Sequence, residues 1–183
     1  MDTSGKTHCA WCGGRLSRIF IQGGWRLRCG DCGKVTYENP TAGVAGILFS
    51  PAGDVLLVRR ARGMSREGRW CIPCGHVEYN EDIRHALVRE MREEAGFWVV
   101  PGKVFSVYSN FHEPASHTTG TWFLTEPAGG FCESGDDASE AAFFPLDALP
   151  PLAFETDALV LEELRQSVLG IKESTCTNIF APW

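Results

Sequence analysis

The sequence predicts a mixed α/β domain preceded by a small metal-stapled module. Three observations carry that expectation. Short strand-like runs surround two helix-like segments in an irregular order. Two Cys-x-x-Cys pairs are confined to the first 32 residues. One of the helical segments places three glutamates within a single arc. A chain of 183 residues suits one domain of ordinary size plus such a module.

Composition narrows the classes. The hydrophobic fraction of 44% is that of an ordinary globular protein. A net charge of -6 and a pI near 5.4 argue against a nucleic-acid surface held by bulk positive charge. A local basic pocket for phosphates is compatible with both. No run approaches the roughly 18 apolar residues of a membrane helix. Met1 to His8 is polar and has no h-region, so secretion is not expected and the cytoplasm is the expected location. Cysteines grouped in Cys-x-x-Cys units, without a signal peptide, point to a reducing compartment and metal before disulfides.

The first element is the run from about residue 6 to residue 36. It holds Cys9-Ala10-Trp11-Cys12-Gly13 and Cys29-Gly30-Asp31-Cys32-Gly33, with sixteen residues between the pairs. That spacing predicts a structural Zn²⁺ held by Cys9, Cys12, Cys29 and Cys32, with no position left open for catalysis. The glycine after each pair tolerates the positive φ that turns backbone N–H groups toward thiolates. Between the pairs, Leu16, Ile19 and Ile21, then Trp25 and Leu27, alternate around Gly23-Gly24, which reads as two short strands and a turn. Val35 to Thr41, with Pro40, reads as a connector. The expected division is 1–38 for the ribbon and 39–183 for the larger domain.

The larger domain opens with strand-like runs at Gly43–Phe49 and Val55–Arg59, joined as a hairpin by Ser50-Pro51-Ala52-Gly53-Asp54. Trp70 to Val77 is expected to be extended around Pro73. Asn80 is the expected N-cap of a helix running to Ala95, with Gly96 as its stop. Val99–Asn110, Thr119–Leu124 and Ala141–Phe144 read as strands. Thr156–Leu169 reads as a closing helix, with Leu161, Leu164 and Val168 on one side.

The helix before Gly96 carries the chemistry. At about 100° per residue, and taking Glu90 as zero, Glu94 lies near +40° and Glu93 near -60°. Ile83, Ala86 and Leu87 continue that stripe toward the N-terminus. Val88, Met91 and Ala95 form a second apolar side, which suits a helix clamped between two layers. Like charges at these spacings repel, and partial burial raises their pKa values. A divalent cation relieves both penalties, and carboxylates suit Mg²⁺ or Mn²⁺ bound together with substrate phosphates.

The spacing around this helix is specific: Gly75, five residues, Glu81, seven residues, then Arg89-Glu90-Met91-Arg92-Glu93-Glu94-Ala95-Gly96. From Gly75 to Phe97 the chain resembles a Nudix hydrolase. Val55–Arg60, Trp70–Glu78 and Ala141–Pro150 resemble the family's flanking segments. The Cys pairs with Tyr37-Glu38-Asn39-Pro40 resemble the subgroup with an N-terminal zinc ribbon, which includes ADP-ribose, FAD and NADH pyrophosphatases. Cys74 and Asn80 stand where small residues are usual, and neither change removes a ligand. The Trp-Pro-Phe-Pro signature of NADH pyrophosphatases is missing. The corresponding region is Tyr108 to Pro114, which argues against NADH as the main substrate.

The resemblance implies an α/β/α sandwich around a mixed sheet, and Mg²⁺-dependent hydrolysis of a nucleoside diphosphate derivative to two phosphomonoesters. ADP-ribose or FAD leads as substrate. It implies Glu90 and Glu94 as metal ligands, Glu93 as ligand or base, Glu81 and Arg89 as braces, and the Gly75 carbonyl as a contributor at the loop. Glu140 is the expected further acid, with Glu133, Asp136 and Asp137 as alternatives. Arg59 and Arg60 are candidates for phosphate, and Trp70, Phe111 and Trp122 for base stacking; surface solvation and core packing are the competing roles. Relatives often form homodimers. The alternative class is a nucleotide-sensing or RNA-related protein that uses the ribbon for a partner, and the intact motif argues against it. Cys71-x-x-Cys74 superficially matches a redox motif, but residues three apart in a strand face opposite ways. Cys132 and Cys176 carry no readable signal; His8 competes as a zinc ligand but Cys9 makes it unnecessary, and His76, His85, His112 and His117 lack ligand spacing.

Overall fold

The computed structural model describes residues 5–111, 117–135 and 137–168, with Val168 in backbone only. His112, Pro114, Asp136, Leu169, Cys176 and the Val168 side chain therefore lie outside the described residues. Two compact units are present, one within residues 1–42 and 109–119, the other within 43–108 and 120–183.

The smaller unit holds an antiparallel sheet in the order β1 (Leu16–Ile21), β2 (Gly24–Cys29), β3 (Val35–Thr36). The expected hairpin forms, with Ile21 paired to Gly24 across a tight turn. The expected connector differs in part: Val35–Thr36 joins the sheet through Leu27↔Thr36 and Arg28↔Val35.

The larger unit distributes its strands over two sheets. One has the order β10 (Ala138–Phe144), β5 (Val55–Arg60), β6 (Trp70–Cys71). The other runs β7 (Cys74–His76), β4 (Thr41–Ile47), β9 (Thr118–Gly130), β8 (Phe97–Asn110). The turn at 50–54 closes as expected, with Ser50 N donating to Asp54 O at 2.8 Å. Its two strands then part: they meet at the Phe49↔Val55 bridge and continue into different sheets. A parallel bridge, Trp70↔Leu152, supplies the mixed character.

Two helices, α1 (Ile83–Ala95) and α2 (Glu155–Val168), cover opposite faces of these strands. Alternation decides which residue meets which helix. Val44, Leu48, Leu56, Val58 and Phe123 share a cluster with Ala86, Leu87, Met91 and Ala95 of α1. Ala45, Ile47, Val55, Leu57, Trp70 and Trp122 share the other with Val160, Leu161 and Leu164 of α2. This is the expected α/β/α sandwich. Both apolar sides of α1 join this one cluster, which draws Val44 and Phe123 from one sheet and Leu56 and Val58 from the other. The N-cap differs. Asp82, not Asn80, accepts from Arg84 N at 2.9 Å, which starts the helix two residues later. No helix among the described residues is long and apolar enough to cross a membrane.

Candidate active site

Arg89 organises the acidic helix. Its Nε donates to Glu81 Oε1 at 2.9 Å and its Nη2 to Glu81 Oε2 at 2.8 Å, a two-point carboxylate clamp. The same Nη2 donates to the His76 carbonyl at 3.0 Å, tying the loop before α1 to the helix. Nη1 donates to Glu90 at 2.6 Å and to Glu93 at 3.4 Å. Glu93 also accepts from Arg92 at 3.1 Å. The Arg89 guanidinium holds the Glu81 carboxyl down to about 2. One cation thus serves three carboxylates and a carbonyl.

Glu94 stands apart from that network. It is only 5% exposed, and its Oε2 accepts from Cys74 N at 2.8 Å. Burial pushes its carboxyl up to about 8; the Cys74 N–H and the Arg60 charge oppose the shift, and the Glu90 and Asp137 charges add to it. Burial likewise raises Glu90.

Gly75 is required by a close approach. A Cβ there would lie 2.0 Å from the Glu90 carboxyl carbon, so only glycine leaves room for that side chain against β7. Gly96 takes φ 74°, as expected of a left-handed stop, and its N–H returns to Arg92 O at 3.0 Å. The segment after β9 closes over this helix end, with Glu133 N donating to Ala95 O at 3.2 Å and Gly135 N to Glu94 O at 3.4 Å.

The remaining candidates separate. Glu140 is exposed and pairs with Arg59 at 3.5 Å across the β5–β10 ladder. Arg59 Nε donates to Gly68 O, while Arg60 Nε donates to Ser65 O at 2.6 Å and lies over the Phe154 ring. Asp137 is exposed. Trp70 and Trp122 are core residues. Phe111 is half-exposed, edge-on to His117.

Sequence reasoning missed Asp157. This α2 carboxyl is 1% exposed and accepts from Ile72 N at 3.0 Å and Trp122 Nε1 at 3.1 Å. Burial pushes it up to about 7. Read in sequence, it was one polar residue at a helix start. Cys71 and Cys74 also depart from expectation. Strands β6 and β7 belong to different sheets with a bend at Pro73 between them, and the Cys71 thiol lies against Cys74. That contact, with burial, raises the Cys74 thiol well above its ordinary value.

In the ribbon the four thiols converge. Cys9, Cys12, Cys29 and Cys32 Sγ atoms all lie within 4.8 Å of one another, with Cys9–Cys32 at 3.8 Å and Cys12–Cys29 at 3.4 Å. Tetrahedral Zn–S bonds of about 2.3 Å require S···S separations of about 3.8 Å, so the set fits Zn²⁺. The N–H groups facing Cys9 come from Cys12 and Trp11 and that facing Cys12 from Gly14, whereas Gly13 N donates to the Cys9 carbonyl. Among the described residues it is the one such convergence of three or more donors. The carboxylates of α1 fit a hard cation by chemistry: two of them are raised by burial, and one is cradled where a Cβ would otherwise sit.

Fold and helix together define a class. Residues 39–164 match the NUDIX domain model, and the chain belongs to that family as a Nudix hydrolase. It is 34% identical over 130 residues to an ADP-ribose pyrophosphatase of Methanocaldococcus jannaschii, covering 70% of this chain and 76% of that one. It is 30% identical over 147 residues to the NAD-capped RNA hydrolase NudC of Pseudomonas aeruginosa, covering 79% of this chain and 51% of that one. A NUDIX hydrolase crystal structure from Nitrosomonas europaea superposes with a TM-score of 0.77 at 26% identity, covering 90% of this chain and 94% of the other.

Proposed function

We propose that this Nudix hydrolase cleaves the diphosphate linkage of a nucleoside diphosphate derivative to give two phosphomonoesters. ADP-ribose leads, FAD follows, and NADH is poorer. The observation that carries the reading is the glutamate stripe of α1 with its Arg89 brace. The similarity to an ADP-ribose pyrophosphatase supports the choice of substrate. NudC keeps NAD-linked compounds on the panel to be tested.

In this reading Glu90 and Glu94 hold Mg²⁺ or Mn²⁺, with the Gly75 carbonyl beside them. The cation, when bound, neutralises the diphosphate and stabilises charge on the phosphoryl oxygens. Glu93 serves as ligand or as base toward the attacking water. Glu81 and Arg89 orient the loop–helix junction. Glu140 is the further acid; Asp137 is the alternative, favoured by the effect of its charge on Glu94. Arg59, Arg60 and Phe111 are assigned to substrate. Residues 1–38 act as a structural zinc module, residues 39–183 as the catalytic part of a cytoplasmic homodimer.

The test is a panel of ADP-ribose, FAD, NADH and nucleoside triphosphates with Mg²⁺, with products separated by chromatography. AMP plus ribose phosphate from ADP-ribose is expected, with the rate falling about 10²–10⁴-fold in Glu90→Gln. Release of pyrophosphate from triphosphates with no cleavage of any dinucleotide or ADP-sugar defeats the reading. Glu140→Gln and Asp137→Asn assayed side by side decide which acid takes part.

A further inference from the structure

Charge is segregated along this chain. Residues 1–38 carry six Lys and Arg (Lys6, Arg15, Arg18, Arg26, Arg28, Lys34) against Asp2, Asp31 and Glu38, a formal +3, leaving -9 for the remainder of a chain at -6. The acidic total thus conceals a basic module. Among the described residues of that module, the one cation paired with a carboxylate is Lys6, with Glu38 at 3.3 Å.

The module also displays aromatic rings. The register Arg18↔Leu27 and Phe20↔Trp25 puts Arg18, Phe20, Trp25 and Leu27 on one face of the β1–β2 hairpin. Toward the cysteines that face is closed, since Leu27 and Cys29 are buried. At the hairpin end it is open: Phe20 is 61% exposed and Trp25 58%. The two rings meet edge to face at 5.4 Å, and the Arg18 guanidinium lies 5.0 Å from the Trp25 ring centroid. Exposed Trp11 carries the Lys34 ammonium at 3.1 Å, and Tyr37 carries Arg26 at 5.5 Å.

Large rings left in water on a small module, with cations over Trp11, Trp25 and Tyr37, have a specific chemical complement. Flat π-faces accept stacked bases, and the adjoining cations accept the phosphates that link them. A duplex hides its base faces. An acidic peptide matches the charge but brings no flat partner for the rings.

We propose that the hairpin end of the ribbon is a binding platform for single-stranded polynucleotide. Bases stack on Phe20 and Trp25, phosphate meets Arg18, and Arg15, Arg28 and Lys34 add local positive potential. The surface is built from ribbon residues alone and does not depend on the chemistry of the acidic helix.

The test uses the full-length zinc-loaded protein and a fluorescently labelled single-stranded oligonucleotide of about twelve residues, within the range of known stacking platforms. Anisotropy is expected to report binding that weakens with salt, with a slope of log K against log salt of about -0.7 per phosphate engaged. Trp25→Ala is expected to weaken binding roughly 5- to 100-fold, and Phe20→Leu and Arg18→Gln to weaken it less. Trp25→Phe, which keeps a ring, is expected to retain most of it. Zinc content and nucleotide turnover are expected to be unchanged in all four. Duplex bound as tightly as single strand, or binding indifferent to Trp25→Ala, overturns the proposal. So does a Trp25→Ala variant that alters sedimentation while leaving oligonucleotide binding intact, since the face then belongs to a second copy of the chain.

Discussion

The thiols of the ribbon and the carboxylates of α1 differ in what holds their donor atoms. Cys9, Cys12, Cys29 and Cys32 are brought together by backbone: N–H groups of the two turns face the sulfurs, and the four converge. Glu90 and Glu93 are held by a side-chain cation, Arg89, and Glu94 by a single backbone N–H from Cys74. The first arrangement is complete without any further molecule than its ion. The second leaves carboxylates partly compensated and facing different neighbours, which suits an ion that arrives with a phosphate-bearing substrate and leaves with its products. A permanent metal and an exchangeable one would require different scaffolds, and the two donor sets differ in that way.

The largest effect expected separates them by folding. Cys29→Ser removes a converged ligand, and structural zinc supplies about 10–16 kcal/mol to small modules of this kind. Loss of about one zinc per chain is expected, with a change in the Trp11 and Trp25 fluorescence, while ADP-ribose cleavage persists. Metal analysis showing full zinc in Cys29→Ser breaks the comparison. Glu94→Gln is the converse. Turnover is expected to fall about 10²–10⁴-fold, whereas the melting temperature in the absence of divalent metal holds or rises, because a neutral amide replaces a carboxylate that burial penalises. A melting temperature that drops with the rate makes Glu94 a structural residue instead.

The thiol cluster and the glutamate stripe were legible because each depends on local spacing. The interval between Cys pairs, the separation of Gly75 from Glu81 and Arg89, and the stop at Gly96 each lie within one short stretch of chain. The sandwich was legible in its periodicities. What escaped depends on distant partners. Asp82 displaced Asn80 as cap because its side chain reaches Arg84 N. The pairing of β10 back to Ala138, with a bulge between Ala138 and Glu140, is dictated by β5. Cys71 and Cys74 meet because their strands join different sheets. Asp157 finds Ile72 and Trp122 only after three elements assemble.

Asp157 sharpens the contrast by pH. Its folded value of about 7 lies above the ordinary 3.8, so the folded state holds this proton more tightly than the unfolded chain. Its contribution is complete below about pH 4 and is lost as pH rises through about 7, a swing on the order of 4 kcal/mol. Urea midpoints for Asp157→Asn are expected to depend less on pH between 4 and 7 than those of the unchanged protein. Parallel pH profiles for the two proteins refute the assignment. The ribbon zinc should be retained in both throughout the neutral range.

Gly75→Ala tests the acidic site by the smallest change. The added methyl would occupy the position of the Glu90 carboxyl, with its carbon 2.0 Å from that of the side chain. Either β7 shifts from β4, to which Gly75 is paired through Val44, or Glu90 swings away from Arg89. Strand movement would register as a loss of stability, and the side-chain swing as a loss of rate with stability kept. The second is expected, because a side chain rotates more cheaply than a paired strand moves, and a displacement of about 1 Å at a reacting centre costs roughly 10²-fold. Unchanged kcat in Gly75→Ala would mean that the position of Glu90 against β7 does not matter to the reaction, and that the carboxylates of α1 tolerate the looseness which the thiols of the ribbon do not.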